Sequence, residues 1–74
     1  MNNQRRKEIA KAVAMLDDVN DILDGVNCDE NDAYDNMPEN LQDSDRASNM
    51  QDNIDKLDDA CSSISEIIDS LNEI

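Results

Sequence analysis

The sequence predicts an all-α fold: an antiparallel, coiled-coil-like hairpin of two long helices that dimerises into a four-helix bundle. Apolar residues recur at alternating steps of 3 and 4 in each half of the chain, which is the seam pattern of packed helices. A polar stretch around Pro38, the single proline, separates the two halves. The composition includes no Trp, Phe or His and one Tyr, so the apolar side chains are almost all aliphatic, as suits a helix seam.

The first helix is predicted over residues 4–35. Gly25 and Asn27 weaken its later part, because glycine in a helix interior costs about 1 kcal/mol relative to alanine. A break near Gly25 is therefore the alternative to one continuous helix. The predicted seam of this helix consists of Ile9, Ala12, Leu16, Val19, Leu23 and Val26.

A turn is predicted over residues 36–44, followed by the second helix over residues 45–73. Pro38 cannot lie inside a helix without losing a hydrogen bond, and it pushes Met37 away from helical angles. Ser44 is a suitable N-cap for the second helix, and Asp45 in its first turn interacts favourably with the helix dipole. The predicted seam of this helix consists of Ala47, Met50, Ile54, Leu57, Cys61, Ile64, Ile68 and Leu71.

An antiparallel pairing of the two seams places Ile9 opposite Leu71, and the numbers of every facing pair then add to 80. The midpoint of this register is residue 40, inside the predicted turn. In the same register Val19 faces Cys61 and Val26 faces Ile54. The register that the turn requires is therefore one that the two heptad patterns allow.

Further apolar side chains lie beside the seams and widen the apolar stripe of each helix, namely Val13, Ile22, Ala60, Ile67 and Ile74. A stripe this wide is typical of bundle helices, whereas a lone pair of helices leaves one side of its seam exposed to solvent. We therefore predict a homodimer, or a hairpin completed by another protein. The predicted core and dimer residues are Ile9, Leu16, Val19, Leu23, Val26, Ile54, Leu57, Cys61, Ile64, Ile68 and Leu71.

The residue types give no support for catalysis, so an enzyme is not predicted, and neither is a cofactor. The chain has no His, no Gly-rich phosphate loop, and serines on the second helix that have no base beside them. Cys28 and Cys61 are expected to lie about 13 Å apart along the hairpin, beyond disulfide reach. Two cysteines without His do not form a typical zinc site.

The segment that starts at Asp29 resembles an EF-hand loop only loosely. That loop needs an oxygen ligand at its fifth position, Gly at its sixth and Glu at its twelfth, where this chain has Ala33, Tyr34 and Asn40. No metal site is therefore predicted.

The acidic side chains are the main feature of functional interest. Residues 17–59 contain fifteen of the nineteen carboxylates and only Arg46 and Lys56 as cations, so 15 negative and 2 positive charges give −13. This surface either keeps the protein soluble or acts as an electrostatic decoy for a protein that binds nucleic acid. A hairpin about 50 Å long would carry about one net charge per 4 Å, against one per about 1.7 Å in duplex DNA, so only a dimer approaches DNA.

The same charge disfavours direct binding of nucleic acid, because it repels phosphate everywhere except near Arg5, Arg6 and Lys7. No continuous apolar run follows this basic cluster, so the sequence predicts neither a signal peptide nor a membrane span. A protein partner and a cytoplasmic location are expected.

Candidate partner contacts are polar residues that have no role in the predicted seams. Three of them belong to the turn and the start of the second helix, and three lie on the outer face of that helix. They are Glu39, Gln42, Arg46, Asp52, Asp55 and Asp59.

The turn carries a family resemblance. The stretch Tyr34-x-x-Met37-Pro38-Glu39-x-Leu41-Gln42-x-Ser44-x-Arg46, followed by Met50 and an acidic heptad helix, resembles a class of small acidic phage and prophage helical-hairpin proteins. The resemblance extends from Arg5 onward, its specific part is the turn, and the chain departs from the pattern in having Ala47 where Gly is common.

The resemblance implies a mobile-element origin and a bacterial host cytoplasm. It favours a small interaction protein that inhibits a host defence or nucleic-acid-processing protein. The alternatives are a structural or assembly component of a virion and a DNA-mimic decoy.

Overall fold

The computed structural model describes residues 1–41 and 44–74. Helix α1 spans Asn3–Asp35, helix α2 spans Asp45–Asn72, and a short 3-10 helix, Glu39–Leu41, lies between them. These described ranges contain no strand, and α1 packs against α2 as a hairpin. The molecule is a rod of 59 × 15 × 13 Å. The chain is therefore all-helical and folds as a two-helix hairpin, as the sequence predicts.

Helix α1 is continuous, so the alternative of a break near Gly25 is wrong. It begins at the N-cap Asn2, whose side-chain Oδ1 accepts a hydrogen bond from the backbone N–H of Arg5 at 2.9 Å. Its last turn closes with a bond from the N–H of Asn36 to the carbonyl of Asp32 at 3.0 Å. Between these ends Gly25 adopts ordinary right-handed helical geometry.

The turn combines a 3-10 helix with a capped entry into α2. The N–H of Leu41 donates to the carbonyl of Pro38 at 2.8 Å and closes the 3-10 turn. Ser44 is the N-cap of α2, as predicted: its Oγ accepts from the N–H of Ala47 at 3.3 Å and donates to the carbonyl of Leu41 at 2.5 Å. One hydroxyl thus joins the turn to the first turn of α2.

Helix α2 presents the predicted seam to α1. Ala47 and Ile54 are buried, with 1% and 5% of their surface exposed. The other six predicted seam residues of α2 are half-buried: Met50, Leu57, Cys61, Ile64, Ile68 and Leu71.

Helix α1 presents only part of the predicted seam, because Ile9, Leu16 and Leu23 are half-buried as predicted but the other three residues are exposed. Ala12 is exposed, and Val19 and Val26 are 44% and 46% exposed. The prediction that Val19 and Val26 lie between the two helices of one chain is therefore wrong. The half-buried residues of α1 are Ile9, Val13, Leu16, Asn20, Leu23, Asn27, Glu30 and Tyr34.

The turn explains this rotation of α1. Tyr34 and Met37 are both half-buried at the turn end of the hairpin. Residues on the same face of α1 as Tyr34 are found by counting backwards in alternating steps of 3 and 4, which leads to Asn27 and Asn20. Val26 and Val19 each lie one position before these asparagines. Burial of the large side chains at the turn thus sets which face of α1 meets α2.

Two hydrogen bonds between the helices define the register. The side-chain Nδ2 of Asn20 donates to Ser65 Oγ at 3.2 Å, and that of Asn27 donates to Asp58 Oδ1 at 2.6 Å. Both pairs of residue numbers add to 85, whereas the predicted register has pairs that add to 80. The predicted pairing is therefore wrong at Val19, which is exposed, because Asn20 and not Val19 lines a cavity with Cys61. At the free end, Ile9 and Leu71 line one cavity, as the predicted pairing places them.

Candidate interaction surfaces

An apolar cavity lies at the turn end of the hairpin and has a volume of about 430 Å³. Among the described residues of its lining, Arg46 is the one with an ionisable side chain, so the structure brings this predicted contact residue to an apolar site. Glu39 is exposed at the start of the 3-10 helix, and Gln42 lies outside the described residues. The cavity is lined by Ala33, Met37, Pro38, Leu41, Ser44, Arg46 and Met50.

The three predicted acidic contacts of α2 lie on its outward face. Asp52, Asp55 and Asp59 are exposed, and none belongs to the seam with α1. Gln51 Nε2 donates to Asp55 Oδ1 at 3.2 Å, one helical turn away. Their spacing of 3 and 4 residues places the three carboxylates on one face of the helix, separate from the turn cavity.

One side of the hairpin, termed the polar flank, is formed by Asp21, Asp24, Asp58, Ser62 and Ser65. An open cavity of about 460 Å³ lies on this side, with Asp21 and Asp24 of α1 facing Ser62 and Ser65 of α2. The residues that directly follow seam positions, such as Asp24 after Leu23 and Ser65 after Ile64, therefore share one flank.

Asn20 lies in the lining of the same cavity and is half-buried in the seam. Its Nδ2 bonds to Ser65, but within residues 1–41 and 44–74 its buried Oδ1 finds no hydrogen-bond donor. The seam pattern missed Asn20 and Asn27 because it counts apolar residues only. Counting backwards from Tyr34 and Met37 would have found both.

A second group of exposed side chains, termed the apolar flank, consists of Met15, Val19, Ile22 and Val26 on α1 with Ile67 on α2. Each of these five side chains is between 44% and 66% exposed. Contiguous apolar exposure on a small protein marks a surface that binds another molecule.

Three further features concern thiol reactivity, metal binding and membrane insertion. Both cysteines are free thiols; Cys28 is exposed and Cys61 is half-buried in the α2 seam. Across residues 1–41 and 44–74, no three Cys, Asp or Glu side chains are grouped so that they could hold a metal ion. None of the described helices has the length and apolar character needed to cross a bilayer.

No known protein family, no curated protein and no solved structure matches this chain. The resemblance to small phage proteins therefore remains a prediction based on the turn motif.

Proposed function

We propose that this protein is a small acidic interaction module that works as a homodimer and inhibits a host defence or nucleic-acid-processing protein by covering its basic surface. The observation that carries this proposal is the exposure of the acidic side chains. All the carboxylates of the described residues are exposed except that of Glu30, which is half-buried. The carboxylates are thus accessible to a partner.

The charge density supports a decoy for a nucleic-acid-binding surface. A net charge of −13 along 59 Å is about one charge per 4.5 Å. Two hairpins side by side would carry about one charge per 2.3 Å, close to the one per about 1.7 Å of duplex DNA. Such a dimer would attract a groove that is built to hold a phosphate backbone, and its binding would weaken steeply with salt.

Capture from a bacterial lysate with the tagged full-length chain, followed by mass spectrometry, tests the class of partner. A protein that binds nucleic acid, and is displaced from the hairpin by competing duplex DNA, supports the decoy. Capsid or tail proteins as the prey would instead favour the virion-assembly alternative.

Charge reversal tests which surface binds. Replacement of Asp52, Asp55 and Asp59 by Lys is expected to abolish binding to the captured partner while helicity by circular dichroism is retained, because all three side chains are exposed. Undiminished binding by this variant would contradict the decoy and favour contacts at Glu39, Gln42 or Arg46.

A matched control lies at the C-terminal end of the same helix, where Glu66 and Asp69 belong to α2 and Glu73 is its C-cap. Glu66, Asp69 and Glu73 follow the three test positions by fourteen residues each, so they occupy equivalent heptad positions, and their replacement by Lys changes the net charge by the same amount. Retained binding by this control would assign the site to the turn half of the hairpin. Equal loss in both variants would show that net charge alone sets the affinity.

A further inference from the structure

The five residues of the apolar flank lie on one side of the hairpin. Val19 and Val26 directly precede the seam residues Asn20 and Asn27, and Ile67 directly precedes Ile68. In an antiparallel helix pair, residues one position before a seam residue lie on the same side of the pair in both helices. Residues one position after a seam residue lie together on the opposite side. The turn cavity agrees with this geometry, because it joins Ala33 and Arg46, which precede Tyr34 and Ala47.

The opposite side of the rod is the polar flank, where carboxylates and serines replace aliphatic side chains. The hairpin is therefore two-sided, with an aliphatic face and an acidic face along the same length. An exposed aliphatic stripe at heptad spacing is the surface that a further helix pair would cover.

The exposed surface of the chain exceeds that of a compact monomer by enough to build an interface. The hairpin exposes 5567 Å². A compact protein of 8.3 kDa is expected to expose about 4,600 Å². The excess of about 1,000 Å² slightly exceeds the roughly 800 Å² that each partner buries in a standard stable interface.

The position of the apolar stripe fits a second copy of the same chain. On α1 the stripe runs from Met15 to Val26, with Val19 near its middle, and residue 19 is also the midpoint of Asn3–Asp35. A two-fold axis near Val19 would therefore place stripe on stripe with the two α1 helices overlapping along their full length. Such self-complementarity is the requirement of an isologous dimer interface.

The distribution of charge selects the orientation of that second copy. The free-end half, residues 1–20 and 64–74, has 4 cations and 6 carboxylates, a net charge of −2. The turn half, residues 21–63, has 2 cations and 13 carboxylates, a net charge of −11. In a parallel dimer the two turn halves, each with a net charge of −11, would lie side by side. In an antiparallel dimer each turn half lies beside a free-end half with a net charge of −2, which reduces the electrostatic repulsion.

We infer that the apolar flank of Met15, Val19, Ile22, Val26 and Ile67 binds the same flank of a second copy in antiparallel orientation, which forms a four-helix bundle and leaves both polar flanks exposed. This inference rests on the homodimer proposed above and specifies its face and its direction. It leaves the acidic side chains of both copies on the outside, where they can meet a partner.

Sedimentation equilibrium at micromolar concentration tests the face. The native chain is expected at twice 8.3 kDa. Replacement of Ile22 and Ile67 by Gln, both exposed within the hairpin, is expected to weaken self-association at least about a hundredfold and yield a helical monomer. The control replaces Cys28 and Ser62, which are exposed on the other side, by Gln and is expected to remain dimeric.

Cysteine cross-linking tests the direction in a background with Cys28→Ser and Cys61→Ala. Near a two-fold axis, V19C is expected to form a disulfide-linked dimer under mild oxidation. A12C alone is expected to form none, but to cross-link when mixed with V26C. Self-linking of A12C would show a parallel dimer and overturn the inference.

A native chain that remains a helical monomer, or an Ile22 and Ile67 variant that remains a dimer, would also overturn it. These measurements contain no partner protein, so their failure is separate from failure of the proposed inhibition. The Asp52, Asp55 and Asp59 reversal lies off the apolar flank and is expected to remain dimeric even where it loses the partner.

Discussion

Asn20 and Asn27 occupy positions where a helix seam usually holds aliphatic side chains. Each amide bonds across the hairpin to a side chain on the polar flank, Ser65 or Asp58. A polar residue at a seam position lowers stability but fixes register, because a slipped register would leave its amide without a partner. The two asparagines thus help to define the register that the heptad pattern alone leaves open.

The energetic cost of Asn20 can be measured, because its Oδ1 is buried and accepts no hydrogen bond from the described residues. Asn20→Leu is expected to stabilise the fold by about 1 kcal/mol, since apolar burial and relief of the buried carbonyl outweigh the bond to exposed Ser65. The thermal midpoint should rise by about 4–8 °C in circular dichroism at fixed protein concentration.

Asn49→Leu is the matched control for this substitution, because Asn49 is exposed on α2. Its effect is expected to stay within about 0.5 kcal/mol. A midpoint for Asn20→Leu at or below the native value would show that the bond to Ser65 outweighs the buried carbonyl.

At the scale of elements, the sequence predicts α2 more accurately than α1. The heptad pattern of α2 has a second apolar choice only at Ala60 and Ile67, and all eight predicted residues are buried or half-buried. Helix α1 offers two choices around the shared positions Ile9, Leu16 and Leu23. The pattern favours the valines at 19 and 26, but the structure places asparagines in the seam.

The candidate contact residues on α2 could be predicted in part, because the seam of α2 was predicted correctly. Exposure of Asp52, Asp55 and Asp59 follows from their distance from the α2 seam, and Ser44 and Pro38 define the turn. The apolar flank could not be derived, because it exists only once the rotation of α1 is known. That rotation depends on burial of Tyr34 and Met37, which are distant in sequence from Val19.

A substitution at Gly25 tests whether the backbone entropy of this glycine lowers the stability of α1. A Cβ added at this residue would meet no atom within 4 Å, and the residue lies in regular helix. Gly25→Ala is therefore expected to stabilise the fold by about 0.5–1 kcal/mol, because alanine loses less backbone freedom on folding. Urea unfolding followed by circular dichroism measures the change.

Gly25→Pro is the opposing variant for this position. Proline removes a helical hydrogen bond and clashes with the preceding turn, which costs about 3 kcal/mol or more inside a helix. If Gly25→Ala leaves the urea midpoint unchanged, the later part of α1 is limited by its packing against α2 and not by the glycine.

At the scale of the whole molecule, charge and packing oppose each other. The hairpin buries only Ala47 and Ile54 among its described apolar residues, yet it carries a net charge of −13. Repulsion among like charges destabilises a compact state. Salt should therefore act on this protein mainly by screening its own acidic surface.

The stability of the fold is accordingly expected to rise with sodium chloride. The Debye length falls from about 30 Å at 0.01 M to about 10 Å at 0.1 M, so charges separated by more than a few helical turns cease to repel across that range. We expect the thermal midpoint to increase by at least about 4 °C, which corresponds to roughly 1 kcal/mol for a chain of this size.

The variant with Lys at positions 52, 55 and 59 has a net charge of −13 + 6 = −7 and should show a smaller increase of its thermal midpoint with salt. A native midpoint that is independent of salt, or a variant with an equal increase, would mean that the acidic surface contributes little to the folding energy, and its charge would then matter only for binding.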